Sequence, residues 1–207
     1  MIEMGVVSAV SQYAEDVLSK EGFLHVSAVV ANCKMLVAQL DDTGEVDLDV
    51  LIIAAYLLDI STVAHGFQDH HLKSAKMAGE FLQELDVPTE RIRKVEQAIL
   101  AHVSAASVDE QENVPLEGRI LYDADKLGRL SGLAVITSLI EFGARYPNRA
   151  VTGEVLASIL RHIEERFIEL YQSLHTDLAR EMAKAKFHNT LAFLDGVIEH
   201  LSDATPV

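Results

Sequence analysis

The chain has 207 residues, 49% of them hydrophobic and only four of them proline, so its composition is globular and its length that of one domain, which excludes a disordered or fibrous protein. Its 17 Lys and Arg against 32 Asp and Glu leave a formal charge of −15, which argues against a nucleic-acid polymer or an anionic membrane as partner. The single cysteine, Cys33, excludes an intramolecular disulfide and a CxxC zinc site and agrees with a reducing compartment. The start lacks the basic and long apolar regions of a signal peptide, and no run reaches about 18 apolar residues, so the expectation is a cytoplasmic protein without a membrane span.

Val6, Val7, Val10, Tyr13, Ala14, Val17 and Leu18 fall on one stripe and predict a first helix over about 2–19, ended by Gly22. A second, over about 23–40, carries Leu24, Val29, Val30, Cys33, Leu36, Val37 and Leu40, with His25 in its first turn and the turn Asp41-Asp42-Thr43-Gly44 closing it. Residues 48–60 form the most apolar run of the chain and include LIIAAYLLDI, the length of a buried core helix, ending in Asp59. An ionised carboxylate there is costly to bury unless it is paired, hydrogen-bonded or bound to a metal. The candidates to meet it are His25, His70, His71, His102, Asp123 and Asp125.

Residues 61–69 read as a polar loop, and Leu72, Ala75, Met77, Ala78, Phe81 and Leu82 predict a helix over about 70–85. After Pro88, Thr89 is the expected N-cap of a helix carrying Ile92, Val95, Ile99 and Val103, with His102 near its end. A polar segment over 104–113 precedes Pro115, which suits the start of a helix running into DADKLG. Gly128, Gly132 and Gly143 mark bends or close packing, Pro147-Asn148 interrupts, and two long amphipathic helices follow at about 152–173 and 176–201. No segment alternates as a strand does. The fold class is all-α, a single helical domain over 1–207 with its core at about 20–145 and C-terminal helices at about 152–202.

His25, the apolar helix ending LLDIS, the DHHLKSAKMA segment, AILAHV and ILYDADKLGRLSG, in that order, resemble the HD-domain metal-dependent phosphohydrolases. The tail LYQSLHTDLAREMAKAKFHNTLAFLDGVIEHL is similar to the C-terminal helices of bacterial HD hydrolases acting on small phosphorylated compounds. The resemblance implies a helical HD-like bundle in which an early His, a His-Asp pair and a later Asp hold a divalent metal that activates a water. His25 matches the first ligand, Asp59 the aspartate of the pair, and Asp125 the last, with Asp123 its neighbour in DADKL. Lys126 matches a position facing substrate phosphate, and Asp59 is expected to help activate the water.

The chain departs from that pattern at Leu58, where the family has the histidine of its pair, and also at Ala28 and Gly128. Three ligands, His25, Asp59 and Asp125, still suit Mn, Fe or Mg, with Ni or Zn as other candidates, and weaker binding is the expectation. Some HD domains hold a second metal through two further histidines with the pair's aspartate bridging. His70 (or His71) and His102 stand at about those places.

Each residue also has a plainer reading: His25, His70 and His71 as solvated side chains, His102 as a satisfied core histidine, Asp123 and Lys126 as a surface ion pair. The expected function is a metal-dependent phosphohydrolase acting on a nucleotide or another small phosphate ester. The alternatives are a degenerate HD protein that binds a nucleotide or protein without hydrolysis, and a helical interaction module whose C-terminal helices pack in a homodimer. Serine or cysteine nucleophile chemistry and a phosphate-binding loop lack their motifs.

Overall fold

The computed structural model describes residues 2–40, 46–103, 114–148 and 152–202, and every regular element among the described residues is a helix. The chain divides into two compact units, Met1–Asp125 and Lys126–Val207.

The first unit is built around α3 (Leu48–Leu57), on which α1 (Ile2–Val17), α2 (Lys20–Val37), α5 (His70–Glu84) and α6 (Thr89–Ala101) pack. Asp47 caps α3, its carboxylate accepting from Val50 N at 3.2 Å, and its own N–H donates to Glu117 on α7 (Leu116–Leu127) at 2.9 Å. Val50 to Ala55 and Leu57 are all buried, so α3 is apolar on every side, as a central helix must be. Each fully buried Leu or Ile contributes about 1.5–3 kcal/mol.

Several helix boundaries differ from the sequence reading. Gly22 does not end α1: Ser19 does, its hydroxyl accepting from Gly22 N at 3.1 Å as the N-cap of α2, which places His25 in the second turn. Residues 61–69 are not wholly loop, because Thr62–His65 make one helical turn, α4. Thr89 is the first residue of α6 and not its cap; Pro88 holds that position, its carbonyl accepting from Arg91 N and Ile92 N. The window Leu48–His65 reaches a mean hydropathy of 1.6 over 18 residues, although Asp49, Asp59, Ser61, Thr62 and His65 interrupt it, so it is not an unbroken apolar run. It comprises α3, a turn and α4, and 56% of it is buried within the fold. The Asp41–Gly44 turn and the polar 104–113 segment lie outside the described residues.

In the second unit, α8 (Gly132–Arg145), α9 (Gly153–Gln172) and α10 (Asp177–Ser202) share a core of Val135, Leu160 and Leu194. Thr152 caps α9 by accepting from Val155 N. Phe187 of α10 stacks on Tyr171 and Phe167 of α9 at centroid distances of 4.1 and 5.5 Å.

Candidate metal centre

In the polar cluster of the first unit, Asp59, His70 and His102 stand at helix ends and turns, and His25 and Asp125 stand within helices. α3 stops at Leu57, Leu58 caps it, and Asp59 follows in the turn, where the backbone no longer points side chains around a buried cylinder. That turn is fixed by its neighbours: Thr62 Oγ1 donates to Asp59 O at 2.7 Å, and Ser61 N donates to Ser74 Oγ at 3.2 Å. Ser61 Oγ donates to the carbonyl of His70 at 3.0 Å, so the buried Ser61–Ser74 pair ties the aspartate's turn to the start of α5. On the other side, Asn32, two turns beyond His25 on α2, donates to Ala124 O at 2.9 Å, between Asp123 and Asp125 on α7.

Asp59 stands between two groups. Its Oδ2 is 3.7 Å from His25 Nε2, which is in turn 3.1 Å from Asp125 Oδ1. Its Oδ1 is 3.3 Å from His70 Nε2, and His70 Nε2 is 3.4 Å from His102 Nε2. One ligand atom from each of Asp59, His70 and His102 lies within 4.8 Å of the other two, the arrangement of a metal-binding set. Asp59, His102, Asp123 and Asp125 are buried, His70 partly so, and the His25 side chain is 35% exposed.

The histidine tautomers bear directly on whether a cation fits. A backbone carbonyl only accepts, so His70 Nδ1, 2.9 Å from Phe67 O, carries a proton, and so does His102 Nδ1 against Ile99 O. Both Nε2 atoms then face one another at 3.4 Å, with His70 Nε2 beside the Asp59 carboxylate. A cation placed there would meet both nitrogens and the Asp59 carboxylate. His25 Nε2 is buried and makes no hydrogen bond, although two carboxylate oxygens lie within 3.7 Å of it. The Asp59, His70 and His102 half is the one whose donor atoms converge as a divalent metal requires.

Of the residues singled out in the sequence, the structure draws His25, Asp59, Asp125, His70 and His102 into one cluster. His71 is outside that set, its ring 5.8 Å from that of His70. Asp123 is fully buried and so is no surface residue. Lys126 is the next residue of α7 after Asp125, is half-buried, and opens the second unit. Leu58 is 1% exposed and offers no donor atom. Burial pushes the Cys33 thiol well above its ordinary value, and the Asp125 charge pushes it further, so Cys33 stays protonated and is no nucleophile. Sequence reasoning passed over Ser61, Ser74 and Asn32, whose parts depend on partners 13 and 92 residues away.

The HD domain model matches residues 22–130, slightly more than half of the chain and the whole of this cluster. The chain belongs to the HD-domain family. HD domains bind divalent metals, in agreement with the donor set of Asp59, His70 and His102. No curated protein matches the chain. Among solved structures, the HD domain and its C-terminal helices are similar to Bacillus subtilis YpgQ in complex with ADP (18% identity, 97% of each chain, TM-score 0.71). The Lin1889 protein of Listeria innocua is similar too (18%, 98% of each chain, 0.72), as is an HD-superfamily hydrolase from Bacillus thuringiensis (18%, 98% of this chain and 100% of that one, 0.71). At such identity the likeness establishes the fold.

Proposed function

We propose that this HD domain is a metal-dependent phosphohydrolase acting on a nucleotide or another small phosphate ester. The observation that carries the reading is the pair of imidazoles, His70 and His102, whose Nδ1 protons are committed to carbonyls and whose Nε2 atoms converge with Asp59. A divalent cation held by such a set acidifies and orients a water and neutralises charge on a phosphate. His70, His102 and Asp59 are assigned as one set of ligands, His25, Asp59 and Asp125 as the other, with the Asp59 carboxylate shared and Asp123 beside them.

The loss of the pair's histidine to Leu58 weakens the His25 side and leaves the His70–His102 side with its full set of donors. Asp59, whose carboxylate lies between the two sets, would be the group to help activate a water held there. Lys126 is kept as the cation opposing phosphate charge on its position in DADKL alone. The ADP of the Bacillus subtilis neighbour makes a nucleotide the first substrate class to try.

The test is the metal content of untagged protein after incubation with Mn or Fe, beside Asp59→Ala, His70→Ala and His25→Ala variants of normal helicity. Near-stoichiometric metal is expected in the natural chain. Asp59→Ala should abolish it and His70→Ala reduce affinity at least ~100-fold, while His25→Ala reduces it less. A natural chain that takes up no metal would replace the hydrolase by an HD domain that binds without hydrolysing.

A further inference from the structure

Phe67 is 73% exposed, in a segment whose backbone is tied at several points. Gly66 adopts a left-handed φ of 67° and donates its N–H to Thr62 O, and Asp69 adopts φ 53° just before α5. Lys73 Nζ donates to Gln68 O at 2.9 Å. Phe67's own carbonyl accepts the His70 Nδ1 proton, so the backbone of this residue also sets the tautomer of a candidate ligand. The Phe67 ring meets the His70 ring edge-on, with centroids 5.9 Å apart and planes at 70°, and Val63 on the same segment is 60% exposed.

An exposed aromatic ring fixed against a metal-site histidine has a use that a stray surface phenylalanine lacks. A phosphate ester engaged beside His70 must place its remaining part somewhere near, and the surface next to that histidine is a flat apolar ring. We propose that Phe67 is a stacking platform for the nucleobase of the substrate and selects nucleotides over aliphatic phosphate esters and inorganic phosphates. It rests on the phosphohydrolase reading for what lies at the metal centre. Stacking uses the π-face that every base has and engages none of its hydrogen-bonding edges, so the platform separates nucleotides from non-aromatic phosphates and separates purines from pyrimidines little.

The experiment titrates the full-length chain with ADP and, separately, with pyrophosphate, by calorimetry with and without Mn, in the natural protein and in Phe67→Ala and Phe67→Tyr. The expected result is a loss of about ten-fold or more in ADP affinity in Phe67→Ala, recovery in Phe67→Tyr, and pyrophosphate affinity unchanged within about two-fold in both. Equal weakening of ADP and pyrophosphate in Phe67→Ala would overturn the platform, since the change would then act through His70. So would an unchanged ADP affinity, or a natural chain that binds pyrophosphate and not ADP. If ADP binds through Phe67 and neither compound is hydrolysed, the platform stands and the hydrolase reading alone fails.

Discussion

Leu58, which the sequence resemblance sets where the family has a histidine, is buried in the core, so its replacement tests two opposing effects in one side chain. An imidazole at that site without a partner costs about 1–3 kcal/mol. A metal that engages it returns stability as mass action, about 2.7 kcal/mol at a hundred-fold excess over Kd. Leu58→His is therefore expected to lower Tm in chelator and to raise it more than the natural chain's when Mn is added, read by thermal scans of both proteins. A variant with equal Mn response would show that the imidazole does not reach the His25 side. His25, Asp59 and Asp125 were singled out in the sequence by their match to the HD pattern, Asp59 also by its place at the end of an apolar run, and position 70 was not distinguishable from 71 by spacing alone. What separates them is the carbonyl of Phe67, which holds one ring and not the other, and a backbone acceptor leaves no trace in a sequence.

At the scale of elements, α6 delivers His102 at its end and α7 carries Asp123 and Asp125, and the two approach at Gly118. A Cβ at Gly118 would stand 2.7 Å from Ala101 Cβ and 3.3 Å from Val114 Cγ1, rigid neighbours that cannot yield as a long side chain does. Gly118→Ala gains about 1 kcal/mol of helix propensity and loses about 1–3 kcal/mol to overpacking. Net destabilisation is expected together with weaker Mn binding, because Ala101 adjoins His102 and separating the helices moves the ligands apart. Lower stability with metal affinity intact would show that the cluster does not depend on this contact. The helices themselves were readable from their stripes, and their ends were misread where a cap decided them: Ser19 outranks Gly22, and Pro88 outranks Thr89.

For the whole molecule the dominant quantity is the charge of −15, which repels the anionic substrate that the centre is proposed to take. Raising salt from about 0.01 to about 0.1 M shortens the screening length from about 30 to about 10 Å. kcat/KM for a nucleotide is therefore expected to rise several-fold over that range, the reverse of a basic enzyme steering its substrate inward. A fall would mean that a local positive field at the site outweighs the net charge. The all-α class was legible because no segment alternates, and Leu48–His65, apolar enough on average to suggest a membrane span, is instead the inner helix and turn of a folded unit.

His25 and Asp125 meet at 3.1 Å although 100 residues of chain separate them. At about 5–20 residues per second, a ribosome makes the histidine roughly 5–20 s before the aspartate. Through that interval the nascent chain lacks Asp125, and the Asn32 bond to Ala124 that registers α2 against α7 has not formed. Under the proposed assignment, the His25–Asp59–Asp125 set is therefore complete only once the whole first unit has been made, later than the Asp59–His70–His102 set, which needs the chain only as far as residue 102.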